Sequence, residues 1–206
     1  MSDKTITLTL QTETLEFRKW FAGSRVIDKN GKPLVVYHAT PDKFKVFDTS
    51  SFKSHFGSLE QSKDRVNELA SMGIDRKHGY DVKIIYVYLS IKNPFRVNDL
   101  GDNWKSPSAF SREIENTLGL PVNSTHSEFE AIYAKTKSDT ETIVQMLKNR
   151  GYDSIVYRNE FEGIGNPLGK GGIVPTGKHS GDSFIPFEPT QIQFAVYDDE
   201  IMFRGI

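Results

Sequence analysis

The run VKIIYVYLSIKNPFRV, residues 82–97, constrains the fold more than any other stretch of the chain. Read with a period of two, Ile84, Tyr86 and Tyr88 share one face, and Ile85, Val87 and Leu89 share the other. β-Branched and aromatic residues at this density predict a strand, and Pro94 is expected to stop it. A second strand is predicted at LVVYHA (34–39), after the turn DKNGKP with its Asn30–Gly31 dipeptide. SIVY (154–157) reads as a third. The segment SFIPFEPTQIQFAVYDDEIMFRGI (183–206) reads as a final strand pair.

Helical signals lie between these runs. In TLEFRKWFAG, Thr14 is a plausible N-cap, Phe17, Trp20 and Phe21 share a face, and Gly23 lies near the end. Ser58 and Gln61 have capping-box spacing ahead of a stripe of Leu59, Val66, Leu69 and Ala70. SAFSREIENTLGLP and HSEFEAIYAK predict two short helices. Ser138 and Glu141 predict a capped helix with a buried stripe of Ile143, Val144 and Leu147, ended by Gly151. From Gly163 to Gly181 there are seven glycines, which predict a long mobile loop. Helices and strands are interspersed without a clean βαβ alternation, so the fold class is α+β with a mostly antiparallel sheet. The expected organisation is a tether or short strand over residues 1–13 and a single domain over 14–206.

The composition excludes several kinds of chemistry. The chain of 206 residues has no cysteine, which rules out disulfides, thiol nucleophiles and thiolate zinc sites and fits a cytoplasmic setting. A net charge of −1, from 26 basic and 27 acidic residues, gives no basic stripe for counterion release from nucleic acid. No stretch approaches the ~18 consecutive apolar residues of a membrane span. Five scattered histidines without H-E-x-x-H give no metal site. Neither a G-x-x-x-x-G-K-[ST] loop nor a G-x-S-x-G elbow is present.

What remains is a group of polar residues at predicted strand ends. Tyr37, His38, Ala39 and Thr40 close the first strand. His55, Phe56, Gly57 and Ser58 lead into a helix whose first N–H groups could receive an anionic ligand. Asn159, Glu160, Phe161 and Glu162 follow SIVY and precede the glycine run. Taken singly, each has an ordinary explanation: histidines often end strands, and paired carboxylates before a loop are commonly solvated.

Taken in order, the segments resemble a known family. FRKWFAGSRVIDKNGKPLVVYHAT, HFGSLEQ, VYLSIKNPFRVND, LKNRGYDSIVYRNEFEG and DSFIPFEPTQI are similar to the ADP-ribosyltransferases, above all the branch found in phage polyvalent proteins and other mobile elements. The resemblance covers about residues 14 to 196. It implies a split β-sandwich of mostly antiparallel strands with flanking helices. It also implies NAD as substrate, release of nicotinamide, and transfer of ADP-ribose to a protein or nucleic-acid acceptor. The setting it suggests is phage–host or toxin biology, including host takeover, in the cytoplasm of the producing or infected cell, with no metal and no membrane partner.

The resemblance also implies residue roles. His38 would bond the adenosine-side ribose, the Ala39 backbone would hold the nicotinamide carboxamide, and Thr40 would add a hydroxyl. Phe56 and Gly57 would line the nicotinamide pocket, with His55 and Ser58 beside them. This sequence departs from the family pattern twice. The helix tyrosine of many members is replaced near Val66, leaving Phe47, Phe56 or Tyr88 to stack on the ring. The acid that often opens the last strand corresponds to Ser183, next to Asp182. The expected catalytic residues are therefore His38 and either Glu160 or Glu162. Other readings are an NAD glycohydrolase, a degenerate NAD-binding module and a virion-delivered structural protein.

Overall fold

A computed structural model describes residues 11–50, 52–71, 82–104, 106–159 and 180–195. The expected glycine loop, apart from Ser180 and Gly181, lies outside these residues, as does most of the expected tether.

Among the described residues six strands form two three-stranded sheets. In the first sheet β2 (Lys83–Leu89) is central, with β1 (Val36–Thr40) and β6 (Ile192–Phe194) antiparallel on either side. In the second, β4 (Ser154–Asn159) lies between parallel β3 (Pro94–Val97) and antiparallel β5 (Gly181–Pro186). The parallel pair β3–β4 requires a long crossover. Three helices supply it: α3 (Pro107–Leu118), α4 (His126–Thr136) and α5 (Asp139–Asn149). The architecture is the α+β, mostly antiparallel sandwich with flanking helices that the sequence led us to expect.

The structure departs from the expected strands, or adds to them, where the chain changes sheets. Pro94 does not end the long strand. β2 has already ended at Leu89, and Pro94 is the first residue of β3, where a missing N–H costs no ladder bond. The described part of the final segment supplies two strands, as expected, but they do not pair with each other. β5 pairs with β4 in one sheet and β6 with β2 in the other. The step between them is a 3₁₀ turn, Pro189–Gln191. It is locked by Gln191, whose side-chain oxygen accepts the N–H groups of Phe187 and Glu188 and whose backbone oxygen accepts that of Ser90.

Apolar layers follow from strand alternation. Val36, Ile85, Val87 and Leu89 of the first sheet meet Val156 and Phe184 of the second. The opposite face of the second sheet carries Phe95, Val97, Ile155, Tyr157 and Ile185 against Phe110, Ile114, Ile143, Met146 and Leu147 of α3 and α5. On the far side of the first sheet, α1 (Leu15–Phe21) covers Tyr88 with Phe17 and Phe21. Thr14 caps α1 by accepting the Phe17 N–H at 3.1 Å.

Among the described residues, two also link the sheets edge to edge through the backbone. Tyr37 and Gly57 exchange both backbone hydrogen bonds, at 2.9 and 3.0 Å, and Phe56 and Phe184 do the same, at 2.9 and 2.8 Å. Phe56–Gly57 thus stitches the edge of β1 to the edge of β5. The chain then turns away into α2 (Leu59–Ser71).

Candidate active site

The stitch ends at Tyr37, and that position sets the geometry of the site. Because both backbone groups of Tyr37 point away from β2 toward Gly57, those of Ala39, two residues on, point to the same edge. Among the described residues none pairs with them. An open N–H and C=O, side by side on an edge strand, form a donor–acceptor pair for a ligand amide. This edge opens into a cleft of about 700 Å³ between β1, the 41–57 connection, α2 and the 101–104 turn.

His38 stands beside that edge. Its Nδ1–H donates to the His55 carbonyl at 2.8 Å. A carbonyl only accepts, so this bond fixes the tautomer and leaves Nε2 as an acceptor without a partner among the described residues. Phe47 and Phe56 hold the ring, with centroids at 5.5 and 5.4 Å. Burial, reinforced by Arg65 and opposed by the His55 carbonyl and Asp42, lowers the pKa of His38. At neutral pH the ring is uncharged and suits a ligand hydroxyl.

His55 has no such freedom. Nε2–H donates to the Phe52 carbonyl at 2.5 Å, and Nδ1 accepts from the Tyr157 hydroxyl at 2.7 Å. Burial is the main reason its pKa falls to about 4. His55 therefore lines the cleft as a neutral strut, with Trp104 packed edge-on at 5.2 Å.

The remaining predicted residues divide by placement. Ala39, Thr40, Phe47 and Gly57 line the cleft with His38 and His55. The Thr40 hydroxyl accepts the Asp42 N–H at 3.1 Å and turns the chain. Phe56 is fully buried with both backbone groups bonded, so it supports the His38 wall from below and offers the cleft nothing. Ser58 caps α2. Tyr88 packs under α1 at the other face of the sheet, so it is no candidate for ring stacking. Glu160 and Glu162 lie outside the described residues.

The start of α2 has fewer donors open to an anion than the sequence suggested. Ser58 N–H donates to Gln61 Oε1 at 2.7 Å, and Gln61 N–H donates to Ser58 Oγ at 3.2 Å. This capping box consumes two donors of the first turn. Gln61 also donates to the Gly181 carbonyl at 3.3 Å and lies 3.4 Å from the Ser183 hydroxyl, which accepts from Asn159 at 3.2 Å. A Cβ on Gly57 would fall 2.1 Å from Gln61 Oε1, so only glycine fits there.

Charged groups are few. Ser183 is buried, and Asp182 points into a separate groove, bound by both terminal nitrogens of Arg96 at 3.1 and 2.7 Å. Among the described residues the carboxylates lining the cleft are Asp42 and Asp48, and the Lys and Arg cations are Lys53 and Arg65. Asp48 is occupied by the hydroxyl and N–H of Ser50, which lower its pKa. No group of three His, Cys, Asp or Glu among the described residues could hold a metal. The sequence reading missed Arg65 and Trp104 as cleft residues and Tyr157 as the buried partner of His55. Arg65 had a visible signal, since it lies one helical turn beyond the cap residue Gln61. Trp104 and Tyr157 had none.

From residue 28 to residue 200 the chain matches the model of the family described as ADP-ribosyltransferase in polyvalent proteins. α1 lies before the matched stretch. No curated protein and no solved structure matches the chain.

Proposed function

The chain belongs to the ADP-ribosyltransferases of polyvalent proteins, and from that membership we propose that it transfers ADP-ribose from NAD to a macromolecular acceptor, releasing nicotinamide. The observation that carries this reading is the open Ala39 backbone pair beside the Nε2 acceptor of His38. The first matches a carboxamide and the second a ribose hydroxyl, two groups that NAD presents together. A phage–host or toxin setting is part of the same proposal and rests on the family description alone.

In the proposed reaction, the bond between nicotinamide and ribose breaks and nicotinamide leaves with its electron pair. The acceptor nucleophile then forms the new bond to the ribose carbon and gives up its proton. A carboxylate near the cationic centre stabilises it and takes that proton. We assign this part to Glu160 or Glu162. The ion pair of Asp182 with Arg96 and the burial of Ser183 leave β5 without an acid for the cleft.

Glu160→Gln, Glu162→Gln and Asp182→Asn separate the candidates. At least one glutamate variant should bind NAD normally and lose transfer by ~100-fold or more, the scale of one electrostatic stabiliser. Full activity in both, with an inactive Asp182→Asn, would overturn the assignment.

The overall reading is tested with labelled NAD and a cell lysate, divided between protease and nuclease. Label on a macromolecule, with free nicotinamide, supports transfer and identifies the acceptor class. The same burial of Ser183 favours a second reading, an NAD-binding module without chemistry, for which NAD binds and no nicotinamide appears. Nicotinamide release without labelled macromolecule would indicate a glycohydrolase.

A further inference from the structure

We propose that Arg65 is the residue by which the cleft selects a diphosphate-bearing donor over truncated nicotinamide ribosides. The inference rests on the NAD reading and deepens it. A dinucleotide carries two anionic phosphates between its ribose groups, and a cleft that holds it needs fixed positive charge beside the ribose contacts. The usual device, a helix N-terminus, is in part already used here, because Ser58 and Gln61 satisfy two donors at the start of α2 on each other. Glu60 adds negative charge in the same turn.

One helical turn beyond Gln61, on the face of α2 that lines the cleft, stands Arg65. It lines the same cleft as His38 and His55, and its charge helps to lower the pKa of both. The guanidinium is held by Glu68, which accepts from Nη1 at 2.5 Å. Nε and Nη2 have no partner among the described residues. An anchored plane with an open N–H edge suits bidentate contact with phosphate. Its side chain is 40% exposed, so its donors are accessible without unfolding the helix. Lys53, the other Lys or Arg of the cleft, is exposed in the connection and has no comparable anchor.

The experiment measures binding of NAD, ADP-ribose and nicotinamide riboside to the full chain and to Arg65→Ala, Arg65→Lys and Lys53→Ala. Thermal melts confirm that each variant is folded. Arg65→Ala should weaken NAD and ADP-ribose by on the order of tenfold to a hundredfold and leave nicotinamide riboside within about twofold. Arg65→Lys should recover part of the loss, since charge remains and the fork is gone. Lys53→Ala should cost less than Arg65→Ala. Equal weakening of all three ligands would show a structural role and overturn the proposal, as would unchanged NAD affinity in Arg65→Ala while the parent binds NAD. If the parent binds no NAD, the NAD reading itself fails and this assignment with it.

Discussion

His38 and His55 lie 17 positions apart in the chain, are linked by one hydrogen bond, and do different work. His38 keeps one nitrogen open; His55 has both engaged. His38→Ala should leave the chain folded and weaken NAD binding by about 1–3 kcal/mol, measurable by calorimetry. In the parent, binding should decline as pH falls through the lowered pKa of His38, because protonation converts Nε2 from acceptor to donor. The effect of His55 is on stability. Its folded pKa of about 4 lies below the ordinary 6.5, so between those values the unfolded chain binds a proton that the folded chain does not. Its contribution is full above pH 6.5 and is lost as pH falls toward 4, on the order of 3 kcal/mol. Urea titrations of the parent and His55→Gln across that range should show a shallower pH slope in the variant; identical slopes would refute this account.

At the scale of elements, the two-residue stitch and the cap of α2 are one device. Gly57 bonds to β1 through its backbone and leaves the space that Gln61 needs to cap the helix and reach β5. Gly57→Ala must expel Gln61 Oε1. It should cost about 1–3 kcal/mol, through a lost cap and unsatisfied polar groups. Gln61→Ala should reproduce much of that loss, and the double variant should fall short of the sum, because both changes break the same contacts. Additive losses in chemical denaturation would show the two to be independent.

The whole molecule places its cleft where two sheets meet only briefly. Phe56 is the hinge of that meeting, with its ring in the core between the sheets and its backbone on β5. Phe17 sits behind the first sheet, away from the cleft. Either residue changed to alanine should lose about 3–5 kcal/mol of stability. The folded fraction of Phe17→Ala should bind NAD like the parent, whereas Phe56→Ala, which removes the floor under His38, should bind it more weakly. Equal NAD affinity in the two folded variants would separate the site from the stitch.

Local chemistry carried much of this protein into view from its sequence. The caps at Thr14, Ser58 and Ser138, the alternation of β2, and the strand that carries His38 all depend on neighbours within a few residues. Pairing was beyond that reach. Nothing in Pro94 or in SFIPFEPTQIQF says which sheet a strand will join, because the partner is chosen by surfaces assembled from distant segments. The same holds for the site. The open edge at Ala39 exists because Gly57 stops pairing after Tyr37, and the fork of Arg65 faces the cleft because α2 leaves the sheet at that point. The sequence determined which groups were on offer. Tertiary packing decided which of them were consumed by other groups and which were left for a ligand, since a polar group in a fold is available only where no neighbour has already satisfied it.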